Sequence, residues 1–259
     1  MTHVAHPFIQ RVGIVKDWRS RWFSVNPKLF RENLRADNKV RDFLAKRLKG
    51  MYIAGTDIEM GNKVMRIIIR TSRPGLIIGR GGDGAQKLRK DVDQLLRTLK
   101  LSEKLDIKID IEEVRSPESS AAIVGQMIVE ELEKRMPFRR VMKQTIEKVM
   151  ANRDVEGVRV ILSGRLGGAD MSRTEELKRG RIPLQTLRAD IDFARERALL
   201  PYGILGVKVW IYRGQVFADR RTKGDEQTDR GGKGEGSRRE SADRGGYRAP
   251  ASRAPRSAQ

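Results

Sequence analysis

The sequence predicts an α+β fold made of two units, each with helices packed on a sheet, followed by a tail. The chain has 259 residues, which is enough for two domains with proper cores. The spacing of apolar residues switches along the chain between the three-to-four-residue period of helices and the two-residue period of strands. From about Ala218 the composition changes to Arg, Gly, Ser, Glu, Asp and Ala. Such a segment buries too little apolar surface to offset its ordering entropy, so we expect residues 218–259 to be disordered.

Helices open the first unit. Asn26-Pro27 is a helix-start signal, because Asn caps helices well and Pro suits the first helical position. Asp37 predicts a second start. The helix that it opens carries apolar residues on one side, at Val40, Phe43, Leu44 and Leu48.

Strands and one further helix complete the first unit. Two strands are predicted at roughly residues 51–59 and 63–71, with a turn at Gly61-Asn62. Residues 106–114 alternate in polarity and predict a last strand. Between them, apolar residues recur at helical spacing, at Ala85, Leu88, Val92, Leu95, Leu96 and Leu99. The pattern predicts a compact α/β domain whose sheet is covered on one side.

The second unit begins at Ser116-Pro117, an N-cap followed by a first-turn proline. We expect its first helix to reach about Arg135, and Pro137 to begin a second helix that runs to about residue 152. From Gly157 the period becomes two, and a hairpin region follows through residues 181–188. A final strand is predicted at residues 207–212. The expected buried residues are Ala121, Val124, Ile128 and Leu132 of the first helix and Val158, Val160 and Leu162 of the first strand. These patterns predict two helices on a mostly antiparallel sheet.

The most informative motif is Gly79-Arg80-Gly81-Gly82, which lies between a short apolar block and a predicted helix. Two short helices joined by such a G-x-x-G loop are how KH domains hold a nucleic-acid backbone. Glycines accept positive φ and place no Cβ between the main chain and a phosphate. Exposed N–H groups at the next helix start face an anion, and Arg80 can add a charged hydrogen bond. The motif therefore predicts an RNA-binding loop.

The same letters spell G-x-G-x-x-G at Gly79, Gly81 and Gly84, the fingerprint of a dinucleotide site. That site needs a buried strand leading directly into the first glycine and an acidic residue about 20 positions later. Here Ser72-Arg73-Pro74-Gly75 and a short apolar turn separate the predicted strand from Gly79. Glu103 is near the right distance but lies in a polar loop and not at the end of a strand. The nucleic-acid loop is the favoured interpretation, with a dinucleotide site and a ligand-free glycine turn as alternatives.

Charge and rare residue types narrow the function classes. Lys and Arg total 54 against 34 Asp and Glu, a formal charge of +20, which destabilises a compact chain unless a polyanion neutralises it. Nucleic acid is the expected partner. An anionic membrane surface is the second possible partner. It is disfavoured because no apolar run approaches the roughly 18 residues of a membrane span. No signal-peptide pattern is visible in the first segment.

The chain contains no cysteine, and its two histidines, His3 and His6, both lie near the N-terminus. Thiolate zinc sites, cysteine nucleophiles, histidine-based catalytic triads and three-histidine metal sites are therefore excluded. We expect no catalytic residues, no metal site and no cofactor.

Beyond the glycine loop, several longer segments are distinctive in sequence and in order. They are Gly13-Ile14-Val15-Lys16, Ser20-Arg21-Trp22, Arg73-Pro74-Gly75, Phe138-Arg139-Arg140, Ser163-Gly164-Arg165-Leu166-Gly167-Gly168-Ala169, Thr186-Leu187-Arg188-Ala189-Asp190-Ile191-Asp192 and Gly206-Val207-Lys208-Val209-Trp210-Ile211. With these segments the chain resembles the bacterial family of small-subunit ribosomal protein S-three. The resemblance runs from about Arg11 to Gly214 and leaves out only the first ten residues and the tail.

The resemblance implies a type II KH domain, residues 19–114, and a second α/β domain, residues 115–217, after an N-terminal extension, residues 1–18. Family members are structural proteins in the head of the small ribosomal subunit, cytoplasmic and without enzymatic activity. They bind ribosomal RNA beside ribosomal proteins S-ten and S-fourteen. With proteins S-four and S-five they line the channel through which messenger RNA enters.

Basic residues at this entrance are implicated, by the same resemblance, in unwinding structured messages, and here they are Arg139, Arg140 and Lys143. At 100° per residue these three fall within about a 100° arc of one helix. A solvated basic face is the interpretation that composition alone favours, whereas the resemblance favours contact with messenger RNA. Glu147 lies in the same sector, and Gln144 stands where the family often has a base. We therefore expect a weaker effect than in members with that base.

Four further residues are expected to contact ribosomal RNA, namely Arg165, Gly167, Gly168 and Arg188. The two glycines serve either RNA approach or a tight turn, and the resemblance favours RNA. In the tail, Arg230-Gly231-Gly232 and Arg244-Gly245-Gly246 resemble RGG elements of RNA-binding proteins, and a solubilising tail is the equal alternative.

Two rival functions belong to other classes. A KH-containing transcription or assembly factor usually appends a GTPase or barrel domain, and no G-x-x-x-x-G-K-[ST] loop occurs in this chain. A nicotinamide-dependent enzyme would need the glycine fingerprint directly after a central parallel strand. Both are disfavoured by these features.

Overall fold

The computed structural model describes residues 5–61, 64–99 and 106–217. These residues form two four-stranded sheets, each with helices packed on one side. The predicted disordered tail, residues 218–259, and Asn62 of the predicted turn lie outside the described residues.

The N-terminal sheet contains the strands β1 Ser20–Arg21, β2 Ile53–Met60, β3 Val64–Thr71 and β4 Asp106–Glu113. They are arranged in the order β1-β2-β3-β4. β2 and β3 form an antiparallel pair, whereas β4 runs parallel to β3 and β1 runs parallel to β2. A parallel neighbour needs a crossover connection, and here helices after β3 supply it.

The helices of the N-terminal half are α1 Pro7–Gln10, α2 Pro27–Arg47, α3 Pro74–Ile78 and α4 Asp83–Thr98. α2 and α4 pack against one face of the N-terminal sheet, and Val40, Ile67 and Val92 are fully buried in the core between them. The opposite face of the sheet carries charged side chains. The expected α/β unit with its sheet covered on one side is confirmed.

Asp37 does not start a second helix, and that prediction is wrong. α2 continues unbroken past this position, with Asn26 as its N-cap. Asp37 is only 3% exposed and accepts hydrogen bonds from the Ser20 hydroxyl at 2.7 Å and from Arg41 Nε at 3.0 Å. A residue type that often caps helices is satisfied here by tertiary partners, so it fixes β1 against the helix instead of interrupting it.

The C-terminal sheet contains the strands β5 Gly157–Gly164, β6 Arg173–Gly180, β7 Ala189–Leu200 and β8 Gly203–Gln215. Their order is β6-β5-β8-β7, with every neighbouring pair antiparallel. Two helices, α5 Ala121–Glu133 and α6 Phe138–Met150, cover one side. Val158, Val160 and Leu162 are fully buried beneath them. The prediction of two helices on an antiparallel sheet is confirmed.

Two local predictions in this unit are wrong. Ser116-Pro117 begins a single 3-10 turn, and α5 starts only after Ser120. The Ser116 hydroxyl lies 3.1 Å from that of Ser119 and does not cap the helix. Residues 181–188 contain no strand and form no hairpin. They link β6 to β7, which lie at opposite edges of the sheet. The strands that follow one another and pair are β5 with β6 and β7 with β8.

The N-terminal strap, residues 5–18, packs on the C-terminal sheet and not only on the sheet that follows it in sequence. Lys16 pairs with Asp190 at 2.6 Å. Arg11 is fully buried, and burial lowers the pKa of its guanidinium, an effect that Asp190 opposes. At 2.7–3.0 Å the guanidinium donates to four main-chain carbonyls, those of Pro7, Leu184, Thr186 and Ala189. The Arg11 side chain thus connects the N-terminal strap to the segment around the start of β7.

Candidate nucleic-acid interface

The glycine loop joins α3 to α4, as the motif predicts. Gly79, Gly81 and Gly82 have φ values of 72°, 66° and 87°, a backbone region in which other residues are strained. A Cβ on Gly81 or Gly82 would meet nothing within 4 Å, whereas one on Gly84 would come within 2.4 Å of the Ile77 carbonyl oxygen. The loop therefore has one side packed against α3 and another side open for a ligand to approach.

The open side of the loop suits an anion. Gly82 is the N-cap of α4 and supplies no side-chain acceptor, so the first N–H groups of this 16-residue helix lack a side-chain cap. Arg80 is exposed and has no ion-pair partner among the described residues. Asp83 in the first turn offsets part of the positive end of the helix.

The same geometry does not suit a dinucleotide. β3 has a parallel neighbour in β4, but α3 stands between β3 and the first glycine. A dinucleotide site needs the glycine turn to follow a central parallel strand directly.

Helix α6 separates apolar and basic residues onto different sides. Arg139, Arg140 and Lys143 are exposed. The side chains that face the core are Val141, Met142, Thr145, Ile146 and Val149. Because the apolar side is fixed in the core, the three cations stand on a rigid support.

Arg139 is tied to the neighbouring edge strand. Its Nε and Nη2 donate to the Glu175 carboxylate at 3.3 and 3.2 Å, and this contact raises the pKa of the guanidinium. Arg173 Nε approaches the same carboxylate at 3.2 Å. The guanidinium carbons of both arginines lie about 6 Å from the Phe138 ring centroid, at 5.7 and 5.8 Å. Glu175 therefore holds two arginines around one aromatic ring.

Arg140 and Lys143 have no ion-pair partner in the part of the chain that the structure describes. Glu147 is also exposed, one turn after Lys143, and Gln144 is half-buried. These two cations are available to a phosphate without breaking an internal ion pair.

Arg165 supports the turn that contains Gly167 and Gly168. Its guanidinium donates to the carbonyl oxygens of Ala169 at 2.9 Å and Tyr202 at 3.2 Å. The glycines have φ values of 68° and 82°, so the tight turn itself requires them. Much of the hydrogen-bonding capacity of Arg165 is used inside the protein.

The turn lies beside the start of α6, because a Cβ on Gly167 would stand 3.9 Å from the Phe138 ring. The structure thus brings the predicted turn residues close to Arg139. Arg188 is exposed immediately before β7, where its carbonyl accepts the Val216 N–H at 2.9 Å.

The sequence analysis missed Arg173 and Glu175 as neighbours of the basic helix. Their signal is an Arg-x-Glu pattern in β6, where alternate residues share a face. β6 was hard to identify because it is an edge strand rich in charge and poor in apolar residues.

A cavity of about 800 Å³ lies where α2 and β2 approach α5 and β7. The Gln126 amide lines the cavity and exchanges two hydrogen bonds with the Ile53 main chain, at 3.1 and 3.2 Å. Burial raises the pKa of Glu196 on the wall, and Lys49 opposes this shift. Cations and carboxylates are mixed around the cavity, so it offers no uniform field for a polyanion.

Two other kinds of site do not occur within the described ranges. No group of three or more His, Asp or Glu side chains there could hold a metal ion. None of the helices in those ranges has both the length and the apolar composition needed to cross a bilayer.

Two family models match the chain. The KH domain model covers residues 39–119, and the model described as the C-terminal domain of ribosomal protein S3 covers residues 128–211. The two matches fall on the two sheets described above. The proposed KH fold of the N-terminal half and the ribosomal fold of the second half are thereby confirmed.

Curated relatives extend the similarity to most of the chain. The small ribosomal subunit protein uS3 of Clostridium novyi (strain NT) is 42% identical over 226 residues, 87% of this chain and 99% of the relative. The protein of the same name from Alcanivorax borkumensis is 43% identical over 227 residues, 88% of this chain and 95% of the relative. That of Endomicrobium trichonymphae is 44% identical over 217 residues, 84% and 90% of the two chains.

Proposed function

The chain belongs to the family of small ribosomal subunit protein uS3, and from this membership we propose a specific role for it where messenger RNA enters the subunit. It is a structural, RNA-binding protein of the small subunit that binds ribosomal RNA, takes part in translation in the cytoplasm and is not an enzyme. The proposal is that Arg139, Arg140 and Lys143 contact messenger RNA at the entrance and assist the unwinding of structured messages.

The observation that carries the proposal is the sidedness of α6. Its apolar residues are buried in the C-terminal core while the three cations are exposed on the same short helix. Cations on a rigid support hold phosphates of separated strands without first paying the entropy of ordering a loop. They thereby favour the open form of a duplex.

The ion pair with Glu175 divides the three cations into two kinds. Arg139 is pre-oriented by a carboxylate that a phosphate must replace or share. Arg140 and Lys143 need no such exchange, and we assign the first contact with incoming RNA to them. Holding strands in this way is electrostatic and needs no nucleotide site, because the ribosome's own cycle supplies the energy of translocation.

Ribosomes that carry Arg139→Ala, Arg140→Ala and Lys143→Ala together test the role. They should translate unstructured messages nearly normally and slow down on messages with a stable hairpin downstream. The measurement is the translation rate on paired reporters that differ only in the hairpin.

Lys148→Ala is the matched control, because Lys148 lies on the same helix but outside this arc, 3.6 Å from Glu131. It should leave both rates unchanged. Equal slowing of the triple variant on both reporters would indicate an assembly defect and contradict the unwinding role.

We also propose that the loop Gly79-Arg80-Gly81-Gly82 holds an RNA backbone in a KH domain of residues 19–114, and that Arg165, Gly167, Gly168 and Arg188 lie against ribosomal RNA in a domain of residues 115–217. The open side of the loop supports the first part. In the turn that contains Gly167 and Gly168, the Arg165 guanidinium is already hydrogen-bonded inside the protein. Contact with RNA is therefore favoured through the glycine main chain and not through this guanidinium.

For protein neighbours, we propose S-ten and S-fourteen in the head and S-four and S-five near the entrance. Support for protein contacts comes from large apolar side chains left exposed near the N-terminus: Trp18 at 64%, Phe23 at 82% and Val25 at 88%. Cross-linking from position 23 in purified subunits is the measurement that checks it. Failure to capture S-ten or S-fourteen would contradict the proposal.

A further inference from the structure

We propose that the outer face of the C-terminal sheet, the side away from α5 and α6, is a second RNA-binding surface that holds the phosphate backbone of ribosomal RNA. We call it the outer cationic face. It consists of Arg159, Lys178, Arg195, Arg197 and Lys208. The proposal rests on family membership and is independent of the role proposed for α6.

Strand alternation places these side chains together. Ala194 and Ala198 of β7 and Val207 and Val209 of β8 are buried against the helices. Alternation therefore places Arg195 and Arg197 of β7 and Lys208 of β8 on the other side, whereas Glu196 stays on the helix side, next to Gly125 of α5. The same alternation applies to β5 and β6. Of the five cations, Lys178, Arg195 and Arg197 are exposed, and Lys208 and Arg159 are half-buried.

The strand register brings like charges directly opposite one another. Arg195 pairs with Lys208 across β7 and β8, and Arg159 pairs with Lys178 across β5 and β6. Like charges in such cross-strand positions destabilise a sheet. The isolated fold therefore carries a repulsion that a bound polyanion would remove.

Little inside the protein compensates this repulsion. Arg159 pairs with Glu176 at 2.6 Å and stacks on Trp210, with its guanidinium carbon 5.1 Å from the ring centroid. Glu176 is the one carboxylate on this open part of the face among the described residues. The other four cations make no ion pair with any described residue.

The N-terminal sheet shows the opposite arrangement on its own outer face. Arg66 lies between Glu59 at 3.6 Å and Asp110 at 2.5 Å. Arg70 is flanked in the same way, by Asp57 at 3.0 Å and Glu112 at 3.1 Å. Both arginines are neutralised internally, so a sheet face with several unpaired cations is not a general consequence of the composition.

The occupant is assigned as ribosomal RNA from the position of the face. It lies on the opposite side of the sheet from α6, so the sheet itself separates the two surfaces. A message lying on α6 therefore cannot lie on this face at the same time. A protein of the small subunit binds ribosomal RNA, and a rigid row of cations suits a backbone that does not move during translation.

The first test uses the purified full-length chain and a fluorescent RNA hairpin of mixed sequence, with affinity measured over a series of KCl concentrations. Arg195→Gln, Arg197→Gln and Lys208→Gln are combined in one variant. Loss of three phosphate contacts should make the slope of log affinity against log salt shallower by about 2 to 3. The melting temperature of the free protein should stay the same or rise, because repulsion is removed.

Lys108→Gln is the matched control for Lys208→Gln, because Lys108 is a lysine on the outer face of the other sheet, on the edge strand β4 opposite Arg66. It should leave the salt slope unchanged. A triple variant with the wild-type slope, or a control that weakens binding as much as Lys208→Gln, would overturn the proposal. So would unchanged RNA binding together with lost binding to a poly-glutamate peptide, which would assign the face to an acidic protein.

The second test uses assembled small subunits without messenger RNA. The outer-face triple variant should be released from the subunit at a lower LiCl concentration than the wild-type chain. The α6 variant with alanine at 139, 140 and 143 should be retained like the wild type. Equal retention of both variants would overturn the outer-face proposal and leave the unwinding proposal untouched.

Discussion

The outer faces of the two sheets use their cations in different ways. On the N-terminal sheet Arg66 and Arg70 each lie between two carboxylates, so the face is closed by its own ion pairs. On the C-terminal sheet Arg195 faces Lys208 with no carboxylate beside them. The formal charge of +20 says only that a polyanion is needed. Cross-strand register decides which cations have carboxylates beside them.

The RNA-binding sites proposed for the two halves are consequently of different kinds. The N-terminal half offers the open glycine loop at one end of its helices, where main-chain N–H groups and Arg80 are exposed. The C-terminal half offers two sides of one sheet, the α6 cations and the outer cationic face. Loss of a single feature should therefore affect the two halves unequally, and three predictions measure this difference.

The largest expected effect is on stability, at the strap that covers part of the C-terminal outer face. Arg11→Met keeps the length of the side chain but leaves two buried and two part-buried carbonyls without their charged donor. The free energy of unfolding should fall by about 3 kcal/mol or more. Urea unfolding of the full chain measures this.

Arg31→Met is the control, since Arg31 is exposed on α2. It should change stability by less than about 0.5 kcal/mol. A similarly small change for Arg11→Met would show that the strap does not hold the C-terminal sheet.

The next effect concerns the glycine loop of the N-terminal half. Asp at both Gly81 and Gly82 places two negative charges where a phosphate would lie, each costing on the order of 1 kcal/mol near the surface. RNA affinity of the full chain should fall about thirtyfold. Asn at the same two positions keeps the shape and tolerates positive φ, so it separates charge from strain. Equal loss of RNA affinity in the Asn and Asp variants would contradict a phosphate bound at this loop.

The smallest expected effect comes from removing the carboxylates that distinguish the N-terminal outer face from the C-terminal one. Glu59→Gln, Asp110→Asn and Glu112→Gln together free Arg66 and Arg70 from most of their ion pairs. The N-terminal face should then bind RNA, raising the affinity of the chain about threefold and steepening its salt dependence. Glu113→Gln removes a carboxylate for which the structure shows no arginine partner, and it should change affinity little. An unchanged affinity in the triple variant would mean that internal pairing is not what closes this face.

The fold was predictable where one period dominated the sequence. α4, β4, α5 and α6 all carry apolar residues at regular spacing. The residues of α5 and β5 expected to be buried are buried, whereas α4 and β4 bury Leu88, Val92, Leu96 and Ile107 and leave their other apolar residues half-buried. Asp37 misled the prediction because its partners, Ser20 and Arg41, include one that is distant in sequence. The strand β6 was not predicted, because an edge strand with charged residues on both faces has no apolar alternation.

The sites were predictable as motifs but not as arrangements. The glycine loop and the basic side of α6 follow from local sequence. The bond between Arg139 and Glu175 joins residues 36 positions apart, and it depends on how β6 pairs with β5. The outer cationic face needs the register of all four strands, which periodicity does not supply.

The hydrogen bonds of Arg11 also determine when the strap can fold during synthesis of the chain. Its most distant acceptor, the carbonyl of Ala189, is 178 residues further along the chain. At synthesis rates of about 5–20 residues per second, roughly 10 to 40 s separate the two. Throughout that interval the guanidinium has no buried site to occupy, so the strap closes only when the C-terminal sheet is nearly finished. We expect acquisition of protease resistance by residues 5–18 to mark the moment at which a nascent chain becomes fit for assembly into a subunit.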